Sequence, residues 1–207
     1  MTVRALALAV LNAMVLTAST MLPLGTELPL ELIDRHRGEG VGDPFDPAAL
    51  AGRPVLVVFL CPHCPFVKHI EPELSRLQAD FAAQVALLGV CSNSSLTHPQ
   101  DGLEGLRAQA AARGWTFPYR LDPDQAIARA FQAACTPDPF LFDADQRLVY
   151  RGQFDGSRPG NALPLDGRDL RAALAAVLAG TPVPTAQRPS IGCNIKWHPG
   201  QEPPWMG

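Results

Sequence analysis

The chain has 207 residues, and several things are scarce in it. Charge is one: charged residues make up 18% and the formal net charge is -3. No basic face stands out on which a nucleic-acid backbone would settle, so nucleic acid is not an expected partner. Cysteine is another. There are five, Cys61, Cys64, Cys91, Cys135 and Cys193, an odd number with a single close pair. That excludes the evenly paired framework of a small secreted domain. It suits a catalytic pair in a reducing compartment, and therefore the cytoplasm. The apolar run ALALAVLNAMVL within Met1–Leu16 is too short to span a bilayer, and no membrane partner is expected. It has the length of a signal-peptide core with a weak cleavage site at Thr17-Ala18-Ser19, which would make the protein periplasmic if Met1–Ser19 is removed. The other reading is a misplaced start, with initiation at Met14. No internal repeat is present.

Proline, by contrast, is abundant: 21 residues, six of them in Thr181–Gly207. Residues 1–20 read as leader or misplaced start, 21–180 as one α/β domain, and 181–207 as an irregular tail on the surface.

Apolar patterning orders the middle of the chain. Thr26–Asp34 alternates as a short strand. Asp46-Pro47 opens a single helical turn. Val55–Leu60 is a continuous apolar run, the mark of a strand buried on both faces. The helix that follows carries Phe66, Ile70, Leu74 and Leu77 on one stripe as far as Phe81, with Pro72 inside it. Further strands fall at Val85–Val90, Trp115–Leu121, Pro139–Asp143 and Leu148–Gly152. Further helices fall at Leu103–Arg113, stopped by Gly114, at Asp124–Ala134 and at Arg168–Leu178. This alternation predicts a central mixed sheet with helices on both faces.

At the end of the apolar run stands Cys61-Pro62-His63-Cys64. Two cysteines two residues apart, where a buried strand meets a helix, make a redox or metal motif. Orphan N–H groups and the dipole at a helix start favour a thiolate, and the thiolate is the attacking species. Pro62 and Pro65 fit the first turn. The roles expected are Cys61 as nucleophile, Cys64 as resolving thiol and His63 as a hydrogen-bond donor that tunes Cys61.

Two further blocks carry a resemblance. The CxxC and the strand-helix order resemble the thioredoxin superfamily, and Cys135-Thr136-Pro137-Asp138-Pro139-Phe140-Leu141-Phe142-Asp143 resembles the Thr-Pro segment of redoxins and peroxiredoxin-like proteins. The stretches LCPHCPFVKH, ACTPDPFLFD, YRGQFDGSRPGN and PSIGCNIKW are similar to bacterial, notably cyanobacterial, redoxin-domain proteins of the AhpC/TSA type. The resemblance implies a thioredoxin-like fold and a cis Pro137 packed against the CxxC. It also implies that Thr136, with Pro62 beside the motif, meets an extended substrate. The partners implied are protein or small-molecule disulfides and a thiol electron donor, with no cofactor. Some features depart from the pattern. No Thr or Ser stands three residues before Cys61, as a peroxiredoxin would have, so dithiol exchange is preferred to thiol peroxidase chemistry. The strand before the motif holds no acid, which leaves proton transfer to His63, Lys68 or water.

Cys135 and Cys193 are candidate auxiliary thiols. Cys193 is either a surface thiol or a second redox partner reached by folding the tail back. A metal site would draw on Cys61, His63, Cys64 and His69, or on Cys61, Cys64 and His98 as in a copper chaperone. A single cysteine pair falls short of a structural zinc site, and no metal is expected. Trp197 and Trp205 in the tail suggest a binding surface as a third class of function.

Overall fold

The computed structural model describes residues 16–35 and 39–206. In chain order the elements are β1 (Leu16–Ala18), α1 (Leu30–Arg35), β2 (Gly40–Val41), β3 (Val55–Phe59), α2 (Pro65–Phe81), β4 (Ala86–Cys91), α3 (Leu103–Arg113), β5 (Tyr119–Leu121), α4 (Ala126–Ala130), β6 (Cys135–Thr136), β7 (Asp138–Phe142), β8 (Leu148–Tyr150), α5 (Arg168–Leu178) and β9 (Ile191–Asn194). Six strands form one mixed sheet in the order β2-β5-β4-β3-β7-β8. The apolar run becomes β3, every residue of it buried. It lies parallel to β4 and antiparallel to β7. Successive side chains of a strand point to opposite faces. Leu56 and Val58 therefore join Ile70, Leu74 and Leu77 of α2 and Leu170 of α5 on one face. Val55, Val57 and Phe59 join Ile33 of α1 and Ile127 of α4 on the other. The expected thioredoxin-like sheet with helices on both faces is the observed one.

Two buried acids hold the helices of the first face together. Glu71 accepts from Gln109 Nε2 (2.7 Å) and Arg113 Nε (2.6 Å), tying α2 to α3. Glu73 accepts from Arg171 Nε (2.5 Å) and from Arg76, tying α2 to α5.

Several expected elements change. Thr26–Asp34 is not a strand. Glu27 makes an isolated bridge to Arg147, and the segment turns into α1, with the N–H groups of Leu32 and Ile33 donating to the Pro29 carbonyl. The strand expected from Trp115 begins only at Tyr119, because the N–H groups of Thr116 and Phe117 go to the Gln78 side chain. The helix expected over Asp124–Ala134 shortens to α4. Gln125 and Gln132, with φ of 57° and 47°, bracket it, and Asp122 takes the N–H groups of Ile127 and Ala128 (3.1 and 2.9 Å) at its start.

The largest correction concerns the tail. It is not irregular throughout: β9 is the middle strand of a second sheet, β1-β9-β6. Cys193 lies opposite Leu16 on one side and Thr136 on the other. Cys193, Ile195 and Trp197 are all buried, and Trp197 lies beneath the Arg129 guanidinium. Hydrophobic burial, not exposure, explains this tryptophan. Of the segment read as a leader, Leu16–Ala18 forms β1, while residues 1–15 lie outside the described part of the chain.

Candidate active site

The CxxC sits where β3 hands over to α2. Pro65 takes the first helical position, where its missing N–H costs nothing and its fixed φ suits the helix. A residue before proline is driven out of the helical region, and Cys64 accordingly has φ -66° and ψ 123° and is the N-cap. This moves the motif one step from the expectation. The positive end of the helix dipole therefore lies at Cys64 and not at Cys61, though the Cys64 sulfur makes no side-chain cap hydrogen bond.

Both cysteines are enclosed, Cys61 at 1% and Cys64 at 0% exposure. The Thr136–Pro137 bond is cis, as the resemblance implies, and Thr136 faces both sulfurs. Its Oγ1 lies 3.6 Å from Cys61 Sγ, and its carbonyl accepts from Cys64 Sγ (3.3 Å) when that thiol is protonated. Cys64 is the middle sulfur of three. Its thiolate accepts from Cys193 and from Cys61, and these bonds hold it well below the ordinary thiol value against the cost of burial. Burial pushes Cys61 up, and the negative charge of Asp101 adds to that. Of the pair, Cys64 is the more readily ionised and Cys61 the less, the reverse of the sequence expectation.

Asp101 is the acid that reading from the strand missed. It arrives on a single turn before α3 and is fully buried. Its carboxylate accepts from the His63 backbone N–H (3.2 Å) and from Asn93 Nδ2 (2.8 Å), and its Oδ2 lies 2.5 Å from His63 Nδ1. The expected bond from His63 to the Cys61 sulfur is thus replaced by one to Asp101. His98 stacks on His63 with ring centroids 5.0 Å apart. Lys68, the other expected proton carrier, lines a groove of about 330 Å³ between α2 and α3 with Pro62, Glu71 and Arg113. Pro62 thus sits at a surface groove beside the motif.

The Thr136 edge, expected to meet an extended substrate, carries another strand of the chain in this structure. That strand is β9, and Gly192 packs so closely that a Cβ there would stand 2.1 Å from the Thr136 carbonyl oxygen. Cys135 lies on β6 but directs its thiol to the Pro137 and Ser190 carbonyls (3.9 Å each). Cys91 is buried against the Asp101 carbonyl (3.5 Å). Neither metal set considered above assembles. His69 bonds Ser157 (3.0 Å), and the cluster that does form is Cys61, His63 and Asp101, with donor atoms within 4.8 Å of one another. Phe45, Leu50, Gln78 and Phe117 line a separate cleft of about 200 Å³ at the opposite end of β3.

The model of the AhpC/TSA family matches residues 29–151. The chain belongs to that family. An uncharacterized conserved protein from Geobacillus kaustophilus is similar at 41% identity, with a TM-score of 0.82 over 90% of this chain and 98% of that one. A hypothetical protein from Sinorhizobium meliloti 1021 is similar at 42% identity, with a TM-score of 0.78 over 89% of this chain and 100% of that one. A thioredoxin-like protein solved in its oxidized form shares the fold at 23% identity, with a TM-score of 0.55 over 70% of this chain and 95% of that one. No curated protein matches the chain. Family and fold together support a redox function in general terms.

Proposed function

We propose that this AhpC/TSA-family protein is a thiol–disulfide oxidoreductase that works through Cys61 and Cys64. The carrying observation is that the two cysteines meet at the start of α2 with Thr136 against both sulfurs, its Oγ1 3.6 Å from Cys61 Sγ and its carbonyl accepting from Cys64 Sγ (3.3 Å). In the first step Cys61 gives up its proton, to His63 within 4.8 Å or to water, and becomes the nucleophile. It attacks a disulfide R–S–S–R′, forming Cys61–S–S–R and expelling R′S⁻. Cys64 gives its proton to the departing R′S⁻, attacks Cys61 Sγ and releases RS⁻, which takes up the proton that Cys61 lost. Two thiols are oxidised to one disulfide and one substrate disulfide is reduced to two thiols; run backwards, the same steps oxidise a substrate. His63 is the partly exposed member of the cluster, its side chain 23% exposed, and its ring, held by Asp101, is where we place the approach of the substrate sulfur. Fully buried sulfurs require the cover over them to open during turnover.

Cys61→Ser tests the reading: turnover of a small disulfide such as oxidised glutathione, with dithiothreitol as donor, should fall to background. Unchanged turnover would exclude it. The reduction potential assigns direction, since a value near about -270 mV makes a reductant and one near about -120 mV an oxidant. A thiol peroxidase is the second reading, favoured by the Thr136 hydroxyl beside Cys61, which replaces the residue missing from the sequence pattern. In that case hydrogen peroxide would convert Cys61 to its sulfenic acid, with release of water, before any disulfide forms.

A further inference from the structure

The tail brings a third sulfur to the pair. β9 is pinned on both sides of Cys193. Before it, Ser190 Oγ donates to the buried Asp138. After it, the Lys196 N–H donates to Asn93 Oδ1 (2.8 Å), and Asn93 in turn holds Asp101. Between these anchors Cys193 stands opposite Thr136 in the ladder, and the Thr136 carbonyl accepts from Cys64 Sγ (3.3 Å), so Cys193 and Cys64 meet at the same residue. Cys64 thus has Cys61 on one side and Cys193 on the other. Cys135, equally buried, takes no part in this contact.

We propose that Cys193 is a third redox thiol, which attacks Cys64 in the Cys61–Cys64 disulfide and moves the bond to Cys64–Cys193. This rests on the oxidoreductase reading above. The Cys193 thiolate attacks Cys64 Sγ, the Cys64–Cys193 bond forms and the Cys61–Cys64 bond breaks. The electron pair leaves on Cys61, which takes up the proton that Cys193 lost. The exchange is redox-neutral within the chain; the oxidising equivalents come from the substrate disulfide that first oxidised the pair. Its product differs from the ordinary oxidised form in two ways. Cys61 returns as a thiol while the protein remains oxidised, and β9 becomes covalently stapled to the start of α2, locking the strand that occupies the Thr136 edge.

The test uses the full chain. The wild-type protein is oxidised with diamide, quenched in acid at intervals, labelled with N-ethylmaleimide and mapped by mass spectrometry without reduction. The expected result is a Cys61–Cys64 form that decays, independently of protein concentration, into a Cys64–Cys193 form labelled at Cys61. Cys61→Ser, with Cys61→Ala as a second variant, should lose Cys64 and Cys193 to one disulfide and keep Cys91 and Cys135 labelled. A wild-type product confined to Cys61–Cys64, together with a Cys61 variant that keeps both Cys64 and Cys193 labelled, would overturn the inference while leaving the oxidoreductase reading intact. Undiminished glutathione turnover in Cys61→Ser would instead overturn the reading beneath it.

Discussion

Gly192→Ala tests whether β9 is the cover over the cysteines. A methyl group at this position would stand 2.1 Å from the Thr136 carbonyl oxygen and 2.7 Å from its carbon. Both are backbone atoms of a strand held in register, so no side chain can swing aside to relieve the clash. β9 must move off β6. The pairing at stake is the ladder Thr136↔Cys193 and Cys135↔Asn194, extended by the Ile195 N–H to the Ala134 carbonyl (3.0 Å). At about 1 kcal/mol net per bond, the closed form should lose roughly 2 kcal/mol. Alkylation of a buried thiol by transient opening follows the open population, so this loss raises the rate about 30-fold, at 1.4 kcal/mol per tenfold. Iodoacetamide labelling of Cys61 and Cys64 reads the effect directly, and amide exchange over residues 190–197 reports β9 itself. The helices of the main sheet should keep wild-type exchange. If β9 amides exchange faster while labelling of both cysteines stays at the wild-type rate, β9 does not gate the site and the reasoning fails.

Three further outcomes follow from the electrostatics. Burial pushes the Asp138 carboxyl from 3.8 up to about 7, against the opposing pull of the Ser190 and Ser19 hydroxyls. A carboxyl that holds its proton more tightly when folded stabilises the fold below its unfolded value, and this stability is lost as pH rises toward about 7. The loss is at most about 4 kcal/mol. Urea midpoints at pH 4, 5.5 and 7 should therefore fall more steeply in the wild type than in Asp138→Asn, and equal slopes would refute the assignment. Asp101→Asn removes the negative charge that helps hold the Cys61 thiol up. A unit charge within 4.8 Å is worth about 3 kcal/mol at an effective dielectric near 20. The pH profile of Cys61 alkylation should move to lower pH by up to about two pH units, and a shift to higher pH would contradict it. Glu73 is 2% exposed and Arg171 lies partly in solvent. Arg171→Ala leaves a buried carboxylate short of a partner, whereas Glu73→Gln leaves cations that water can reach. The first should cost about 2 kcal/mol and the second about 1 kcal/mol in urea denaturation.

The sheet was legible where burial acts on a whole element. Val55–Leu60 and Val85–Val90 are continuous apolar runs because β3 and β4 are covered on both faces, and Gly114 stops α3 at φ 65° as a C-terminal glycine should. Misreadings came where a distant side chain outbid the local pattern. The Gln78 amide claims the N–H groups of Thr116 and Phe117, and Asp122 starts α4 from outside it. In the tail a signal was present: Cys193, Ile195 and Trp197 alternate with Gly192, Asn194 and Lys196, the period of a half-buried strand. The density of prolines around it masked four residues of strand.

At the site, the motif itself was legible and its electrostatics were not, for one local and one long-range reason. The local reason is Pro65. By taking the first helical position it makes Cys64 the N-cap, so the positive end of the helix dipole falls at the second cysteine of the motif and not the first. The long-range reason is that the groups around the cysteine pair come from four separate places: Asp101 before α3, with Asn93 after β4 holding it, Thr136 on β6 and Cys193 on β9. None of them stands at a spacing that a linear pattern records. Asp101 has no apolar periodicity to mark it and looks like an ordinary turn residue after Pro99-Gln100. It becomes a site residue only because β4 and α3 bring it beneath the CxxC, where its charge opposes ionisation of Cys61. A Cys61 thiol whose ionisation is opposed by burial and by Asp101, with a strand across the Thr136 edge, describes a site held closed. In such a state reactivity is governed by the opening of β9 as much as by the chemistry of the thiols.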